Sequence, residues 1–382
     1  MANPIKRLLG KLTGLLLKAF RLDLLTKEET VVYLNNFQID NNSQTRIVLP
    51  DVPNQSGGDR LIFNRTDAIT HPAFVWQFDD TTAQTTQLPY GGIQTNGKIL
   101  CTDFQTYHLV KNFLGSNKRT VVTYDTLLAP WSHFSDGIIF GGYYDFVMLV
   151  AAKLCRMKEA LLPEVFAEAV VSYPFFQTAY EQELLALIGI APNHVFDSRT
   201  YDVRFKQCIL GNSGHWFYPH PADIRALKKQ VEKQIRVPPS VKSRIYVSRA
   251  GRRRVINEAS LVELLKKYDF TIIEDKPRSV AEQVAIYKNA SFILGPHGAS
   301  FTNIIWCEPG THLVELFAPA MIVDHFRYLS RIMNMTYSAY HHVLTVSNRK
   351  KALEEDIFIS IPDLERSLDE LLGKSQAEEA DL

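Results

Sequence analysis

One short turn, Gly295-Pro296-His297-Gly298, carries the residue types in this chain that are best suited to holding a charged ligand. The apolar run before it, residues 291–294, is long enough for a buried strand, and an apolar pattern with a helical period begins after it at Phe301. A helix that starts after such a turn favours an anion at its exposed backbone N–H groups, and a glycine lets the ligand come close. The turn therefore predicts an anion site at His297 and Gly298. A plain strand–helix turn around a buried, hydrogen-bonded histidine is the alternative.

The turn lies in a stretch where apolar strands and amphipathic helices alternate. Strands are predicted at residues 244–248, 270–273, 291–294, 311–317, 336–340 and 357–361, with helices at 257–268, 279–289, 323–333 and 363–372. Ser279 and Glu282 have the spacing of a capping box at the start of one helix. Such alternation predicts a parallel, doubly wound sheet with the turn at its carboxyl edge, where ligands bind.

Charged residues follow the same strands. Arg249 comes directly after the first strand and Lys276 after the second, and guanidinium groups beside a helix N-terminus suit a diphosphate. For the arginines at positions 252–254, a solvated loop is the alternative. Glu315 lies inside an apolar strand and therefore needs a partner, either a ligand hydroxyl or an arginine, or it forms a structural ion pair.

The chain before this stretch reads as a separate α/β domain. A strand is predicted at residues 30–33, and a helix begins at Asp145 with apolar residues at helical spacing through Met157. Adjacent prolines at positions 238 and 239 mark a linker. The predicted segments are a basic amphipathic helix at 1–26, a first domain at 27–236, a linker at 237–243 and a second domain at 244–382, whose last helix is a candidate to pack back on the first domain.

Composition excludes several classes of protein. The chain has 382 residues, which is the length of two domains, and a formal net charge of +1, which leaves no basic field for nucleic acid. Its 4 cysteines have neither metal-ligand spacing nor a disulfide framework. The sequence contains no phosphate-binding loop, zinc motif or convincing carboxylate cluster, so a site without metal or other cofactor is expected.

Several motifs occur in a fixed order between residues 243 and 317. They are Tyr246-Val247-Ser248-Arg249, Arg254, Asn257-Glu258, Ala281-Glu282-Gln283-Val284, the sequence from Gly295 to Asn303, Pro309-Gly310 and Val314-Glu315-Leu316. This set resembles glycosyltransferase family 61, which includes proteins of bacterial capsule synthesis. The resemblance implies the GT-B fold, in which two Rossmann-like α/β domains face a central cleft. It also implies that the second domain binds a nucleotide sugar, usually a UDP-sugar, without an obligatory metal.

The resemblance also assigns the site. The nucleotide-sugar contacts are expected among Arg249, Arg254, Glu282, His297, Gly298, Ala299, Asn303 and Glu315. In the first domain, family members carry a histidine at the start of a helix, and Asp145 stands at the matching place. A carboxylate can act as a general base for a sugar hydroxyl, so Asp145 is the first candidate, followed by His133 and Asp136.

These expectations describe one enzyme and two rivals. The enzyme moves a hexosyl or pentosyl group, with inversion, to a glycan or lipid-linked saccharide in surface polysaccharide biosynthesis. It works in the cytoplasm, on the inner face of the membrane if the N-terminal helix binds anionic lipid; packing of that helix on the protein's own core is the alternative. The rivals are a catalytically silent scaffold, motivated by Asp145, and a dinucleotide oxidoreductase, which the sequence Arg249-Ala250-Gly251-Arg252 disfavours because it is no glycine fingerprint.

Overall fold

The computed structural model describes residues 21–57, 61–80, 84–103, 118–131, 142–213, 215–342 and 354–380. His133, Asp136 and residues 1–20 of the expected N-terminal helix lie outside this part of the chain. The described residues form two compact units: those up to 45 and from 70 to 235 make the first, and those from 46 to 69 and from 236 onward make the second. No helix in the described ranges is both long and apolar enough to cross a bilayer.

The helices and strands are numbered along the chain. The helices are α1 (Lys27–Tyr33), α2 (Tyr143–Asp145, π-helical Phe146–Ala151 and Ala152–Ala160), α3 (Pro163–Glu168), α4 (Ala179–Ile188), α5 (Pro221–Gln234), α6 (Glu258–Lys266), α7 (Val280–Lys288), α8 (His325–Ile332) and α9 (Ile361–Ala380), with 3₁₀ helices at Asn35–Phe37, Pro192–His194 and Ala299–Trp306. The strands are β1 (Asp23–Leu24), β2 (Gln38–Asn42), β3 (Arg46–Val48), β4 (Asp67–Ile69), β5 (Ala73–Asp79), β6 (Thr85–Gln87), β7 (Ile93–Thr95), β8 (Lys98–Ile99), β9 (Thr120–Thr123), β10 (Thr126–Ala129), β11 (Val170–Tyr173), β12 (Val195–Asp197), β13 (Tyr201–Arg204), β14 (Gln207–Gly211), β15 (Ser243–Val247), β16 (Phe270–Ile273), β17 (Ala290–Pro296), β18 (His312–Phe317) and β19 (Thr336–His341).

The first unit is organised around a sheet with the strand order β12-β11-β10-β14-β5-β2. Strands β10, β11, β12 and β14 are parallel, whereas β5 pairs antiparallel with both β14 and β2. The chain winds from β10 outward to β12 and then returns to the other side of β10 as β14. The sheet therefore reverses its winding between β10 and β14, and this is the place where open α/β sheets bind ligands.

Helix α2 is the best-buried helix of the first unit, with every residue from Phe146 to Met157 buried. It carries two charged residues into the interior, and each has an acidic partner. Lys153 Nζ lies 2.8 Å from Asp103 Oδ2 with both side chains 0% exposed, and Arg156 pairs with Asp223. Burial lowers the pKa of Lys153, and the Asp103 carboxylate opposes that shift. A buried ion pair of this kind holds the helix in one register, because separating the charges would leave either one unpaired in the core.

The second unit has a parallel sheet with the strand order β16-β15-β17-β18-β19. Its continuous apolar strands are covered by helices, and Tyr246, Leu294 and Val314 pack in one core with the closing helix through Leu364 and Leu368. The order is that of a doubly wound sheet in which the winding reverses between β15 and β17. The parallel sheet predicted from residue 244 onward is therefore present, and its reversal point, where such sheets bind ligands, lies at the ends of these two strands.

Residues 46–69 belong to the second unit although they precede most of the first along the chain. Arg327, which is 1% exposed, donates to the carbonyl oxygens of Pro50 and Arg65 in this segment. Asn54 forms a bridge to Ala339 on β19, and its side chain accepts from the backbone of His341 at 3.0 Å. The segment thus covers the exposed edge of β19, a common way to protect an edge strand.

Two local predictions are wrong. Residues 30–33 were expected to be a strand because of their β-branched run, but they end helix α1, because Thr26 and Glu29 form a capping box at its start. Residues 357–361 were expected to be a strand, but they contribute only an isolated bridge from Ile357 to Val255. Of the helix expected over residues 1–26, the described part contains strand β1 at Asp23–Leu24.

A partly buried histidine makes the second unit sensitive to acid. His312 on β18 lies 2.9 Å from Ser338 Oγ on β19, and burial lowers the pKa of His312 to about 4. The unfolded chain, with a histidine pKa near 6.5, takes up the proton first, so the free energy of unfolding falls as pH drops from about 6.5 towards 4. We expect His312→Gln, which keeps a polar partner for Ser338, to remove roughly 2–3 kcal/mol of that fall. Urea unfolding at pH 7 and pH 4.5 measures it, and identical pH dependence in both proteins would contradict it.

Candidate functional site

The carboxyl ends of β15 and β17 bring the first two predicted site residues together. Arg249 follows β15 and His297 follows β17, and these strands are neighbours at the reversal point of the second sheet. Arg249 Nη1 donates to the backbone oxygen of His297 at 3.0 Å. The guanidinium therefore lies across the turn that opens the Ala299–Trp306 helix, whose N-terminus has no side-chain cap among the described residues.

Gly298 is required at this turn for space. A Cβ on Gly298 would lie 1.6 Å from Arg249 Nη1, whereas the φ of Gly298, 175°, is one that any residue adopts. Gly295 is equally restricted, because its Cβ would meet the Val247 carbonyl oxygen at 2.8 Å. The two glycines let β15, β17 and the Arg249 guanidinium pack closely. The space that was expected to admit a ligand at Gly298 is occupied by the Arg249 side chain.

Gly298→Ala tests this packing. The added methyl group should displace the Arg249 guanidinium, which sits at the end of a flexible side chain, so the fold should survive while nucleotide binding weakens by about tenfold, the usual effect of disturbing one charged hydrogen-bonding group. Gly251→Ala is the matched control, because nothing lies within 4 Å of a Cβ at that position. Titration calorimetry with UDP measures both. Equal affinity in the two variants would show that Arg249 does not contact the nucleotide.

His297 is held by a buried carboxylate. It is 5% exposed and its Nδ1 is hydrogen-bonded to Glu315 Oε1, while Tyr337 donates to Glu315 Oε2 at 2.6 Å. Glu315 itself is 0% exposed. A carboxylate inside an apolar strand needs polar partners, and His297 and Tyr337 are the partners of Glu315. A carboxylate at Nδ1 fixes the orientation of the ring. The same contacts also satisfy the alternative of a buried structural histidine.

Arg253 was named from the sequence only within the run of arginines 252–254 and was not placed among the expected contacts. Its side chain is 6% exposed, its Nη1 has only the sulfur of Met321 as partner at 3.1 Å, and its buried Nε has no partner in the described structure. The backbone φ of 59° places it in the left-handed region, which a side chain seldom adopts and which clusters at ligand-binding turns. A buried guanidinium without a carboxylate is expensive in free energy, so the fold keeps a positive charge that an anion would neutralise.

Arg249 and Arg253 bring two guanidinium groups to this edge, and each shifts in pKa. Burial and the neighbouring charges of Arg249 and Arg252 lower the pKa of Arg253 to about 10, and Glu315 opposes that shift. Burial and Arg252 likewise lower the pKa of Arg249. Both groups remain charged at neutral pH, and each would be stabilised by a polyanion bound between them.

The other predicted contacts lie in local structure. Arg254 is exposed and pairs with Asp356, and Glu282 accepts 2.8 Å hydrogen bonds from Ser279 as the expected capping box. Asn303 is 1% exposed, donates to Gln283 and accepts from Trp306. Ala299 is the exposed first residue of the 3₁₀ helix. The geometry therefore groups Arg249, His297, Gly298, Glu315 and Arg253, and it gives Arg254, Glu282 and Asn303 partners within the protein.

Asp145 occupies the corresponding edge of the first unit. It is the third residue of α2 and is 6% exposed, and its Oδ1 accepts from Trp216 Nε1 at 2.6 Å. The carboxylate lies in the first turn of its helix. Trp216 follows β14, so its contact with Asp145 lies at the reversal point between β10 and β14. Sequence reasoning missed Trp216, because the two residues are 71 positions apart.

The folds and these sites define the class before any comparison: an α/β protein with doubly wound sheets, one of which carries the guanidinium groups of Arg249 and Arg253 at its carboxyl edge. The family model described as Glycosyltransferase 61 matches residues 77–314, more than half of the 382 residues. The chain belongs to glycosyltransferase family 61, as its motifs predicted, and the match begins well before those motifs, in the first unit. No curated protein matches the sequence significantly.

Proposed function

We propose that this glycosyltransferase moves a sugar from a UDP-sugar to a glycan or lipid-linked saccharide, with inversion, in surface polysaccharide biosynthesis. The two units would be the two Rossmann-like domains of a GT-B enzyme, and each has the doubly wound sheet that this fold requires. One observation carries the donor assignment: the buried guanidinium of Arg253 has no carboxylate partner in the described structure and lies on the same strand-end loop as Arg249. A nucleotide diphosphate supplies the anion that these groups need.

On the donor side, Arg249, Arg253 and the start of the Ala299–Trp306 helix bind the diphosphate. They stabilise the charge that develops on it as the bond between the anomeric carbon and the phosphate oxygen breaks. His297, oriented by Glu315, contacts the diphosphate or the donor sugar. Positive side chains take the part that a divalent cation plays in other transferases, so the reaction proceeds without metal.

On the acceptor side, Asp145 is the general base. It takes the proton of the acceptor hydroxyl while that oxygen forms a bond to the anomeric carbon on the face opposite the leaving UDP. Attack on that face inverts the configuration. His133 and Asp136 are the next candidates for the same role.

The test is a thermal-shift screen with UDP-, GDP-, CMP- and TDP-sugars in buffer with a chelator, because a ligand that binds the folded state raises its apparent stability. We expect stabilisation by one UDP-sugar and by UDP. Binding that disappears in the chelator would contradict the metal-free site. Binding without UDP release in the presence of any acceptor would favour the scaffold alternative.

We also propose a cytoplasmic location, peripheral on the inner face of the membrane. The basic and apolar residues at positions 5–21 support it, and each basic side chain near an anionic surface contributes about 1 kcal/mol. The full chain should float with acidic liposomes at low salt and be released at high salt. If a version that lacks residues 1–20, which keeps strand β1, floats equally well, the segment is not the anchor.

A further inference from the structure

Half-buried aromatic rings surround Asp145 in the first unit. Trp216 donates its indole N–H to the carboxylate, and its ring stacks on Phe217 with centroids 4.6 Å apart. Tyr143 and Tyr180 meet edge to face at 5.2 Å, and Asp145 contributes to the raised pKa of Tyr180, behind burial and Glu181. We call these four residues, Tyr143, Tyr180, Trp216 and Phe217, the aromatic collar.

The residues of the aromatic collar come from separate segments of the chain, which the order of the strands brings together. Tyr143 begins α2, which follows β10, whereas Trp216 and Phe217 follow β14, the neighbouring strand. The hydroxyl of Tyr144 donates to the backbone oxygen of Trp216 at 2.9 Å, which ties the start of α2 to the segment that follows β14. The position of the Trp216 ring is thus fixed from both sides, by its backbone and by its indole N–H.

Flat rings beside a carboxylate suit one class of ligand. The C–H face of a pyranose packs on an aromatic ring, and its hydroxyl groups donate to a carboxylate. A lipid tail has no hydroxyl group to donate, and a carboxylate repels the phosphates of a nucleotide. We propose that the aromatic collar is the acceptor-saccharide subsite, with Trp216 as the ring on which the sugar packs. Trp216 is also the positioning residue that aims Asp145 at the acceptor hydroxyl. The positioning role rests on the proposed function of Asp145, but the binding role does not.

Tryptophan fluorescence tests the binding role without any variant. The chain has 4 tryptophans, and Trp76, Trp131 and Trp306 are at most 3% exposed, so quenching by acrylamide reports mainly on Trp216. Methyl β-glucopyranoside, methyl β-galactopyranoside and cellobiose are the probes. Sorbitol at equal concentration is the control, because it has hydroxyl groups but no ring. We expect at least one probe to reduce quenching when sorbitol does not. Quenching that none of the probes changes would overturn the subsite.

Two variants separate stacking from positioning. Trp216→Phe keeps a ring but loses the N–H, so kcat should fall about tenfold, the usual cost of a hydrogen bond to a charged group, with little change in acceptor KM. Trp216→Ala should also raise acceptor KM about tenfold through lost apolar contact. Phe37→Leu, which alters a half-exposed ring outside the collar, is the control. If Phe37→Leu changes kcat and acceptor KM as much as the two Trp216 variants do, the positioning role is overturned.

UDP binding, measured on the same samples, separates this proposal from the proposed function. If UDP still stabilises every variant and the wild type shows no saccharide shielding, the subsite is refuted and the donor assignment stands. If shielding occurs but UDP does not bind, the donor assignment fails and the saccharide subsite stands.

Discussion

Arg253→Met should abolish most nucleotide binding while leaving the protein as stable as before or more so. The arginine is 6% exposed with no carboxylate partner in the described structure, so removing its charge relieves a desolvation cost, and a methionine fills similar volume. UDP affinity should fall by a factor of about a hundred or more, because the diphosphate loses a desolvated cation. The melting temperature should stay the same or rise by a few degrees. Titration calorimetry and thermal unfolding measure the two quantities.

Arg254→Met is the matched control for this experiment. It removes the adjacent guanidinium, which is exposed and paired with Asp356 on the surface, so it should change UDP affinity little. A structural role for Arg253 would give the opposite pattern, with a large loss of stability and unchanged affinity. If Arg254→Met lost more UDP affinity than Arg253→Met, the diphosphate contact would belong to Arg254, the residue that the sequence motif indicated.

Asp145→Asn should lower turnover by about a hundred to ten thousand times with donor affinity nearly unchanged. The asparagine keeps an oxygen that can accept from Trp216 Nε1, so the local geometry survives and only the proton acceptor is lost. The rate of UDP release with acceptor present measures turnover, and UDP titration measures donor affinity.

Asp125→Asn is the control, because this exposed carboxylate of the first unit forms only a surface ion pair with Lys206. Turnover of Asp145→Asn within a factor of about three of the wild type would mean that the base lies elsewhere, since a lost general base costs far more. Variants of His133 and Asp136 would then be measured next.

The sheet of the second unit could be predicted from sequence largely because its central strands β15, β17 and β18 are mostly apolar and alternate with helices. Residues 270–273 match β16 in full, and the capping box of Ser279 and Glu282 is present. The pattern reflects burial on both faces of a parallel sheet, which few other structures demand. The first unit was harder, because its central strand β10 has only four residues and was not predicted.

The contacts of the site residues could not be predicted from the sequence, because they depend on backbone conformation and strand order. Arg253 and Arg254 are adjacent in a run of arginines, and only the left-handed backbone at Arg253 decides which side chain turns inward. The pairing of Asp145 with Trp216 depends on the order of strands β10 and β14, which spacing along the chain does not encode. The placement of residues 46–69 in the second unit depends on long-range contacts through Arg327.

Hydrogen–deuterium exchange with and without UDP, in a chelator, tests most directly the claim that the donor diphosphate lies at the carboxyl edge of the second sheet. UDP should slow exchange in peptides that cover residues 249–254 and 297–301, because these backbone groups surround the proposed site. Protection confined to the first unit, or to neither segment, would contradict the account.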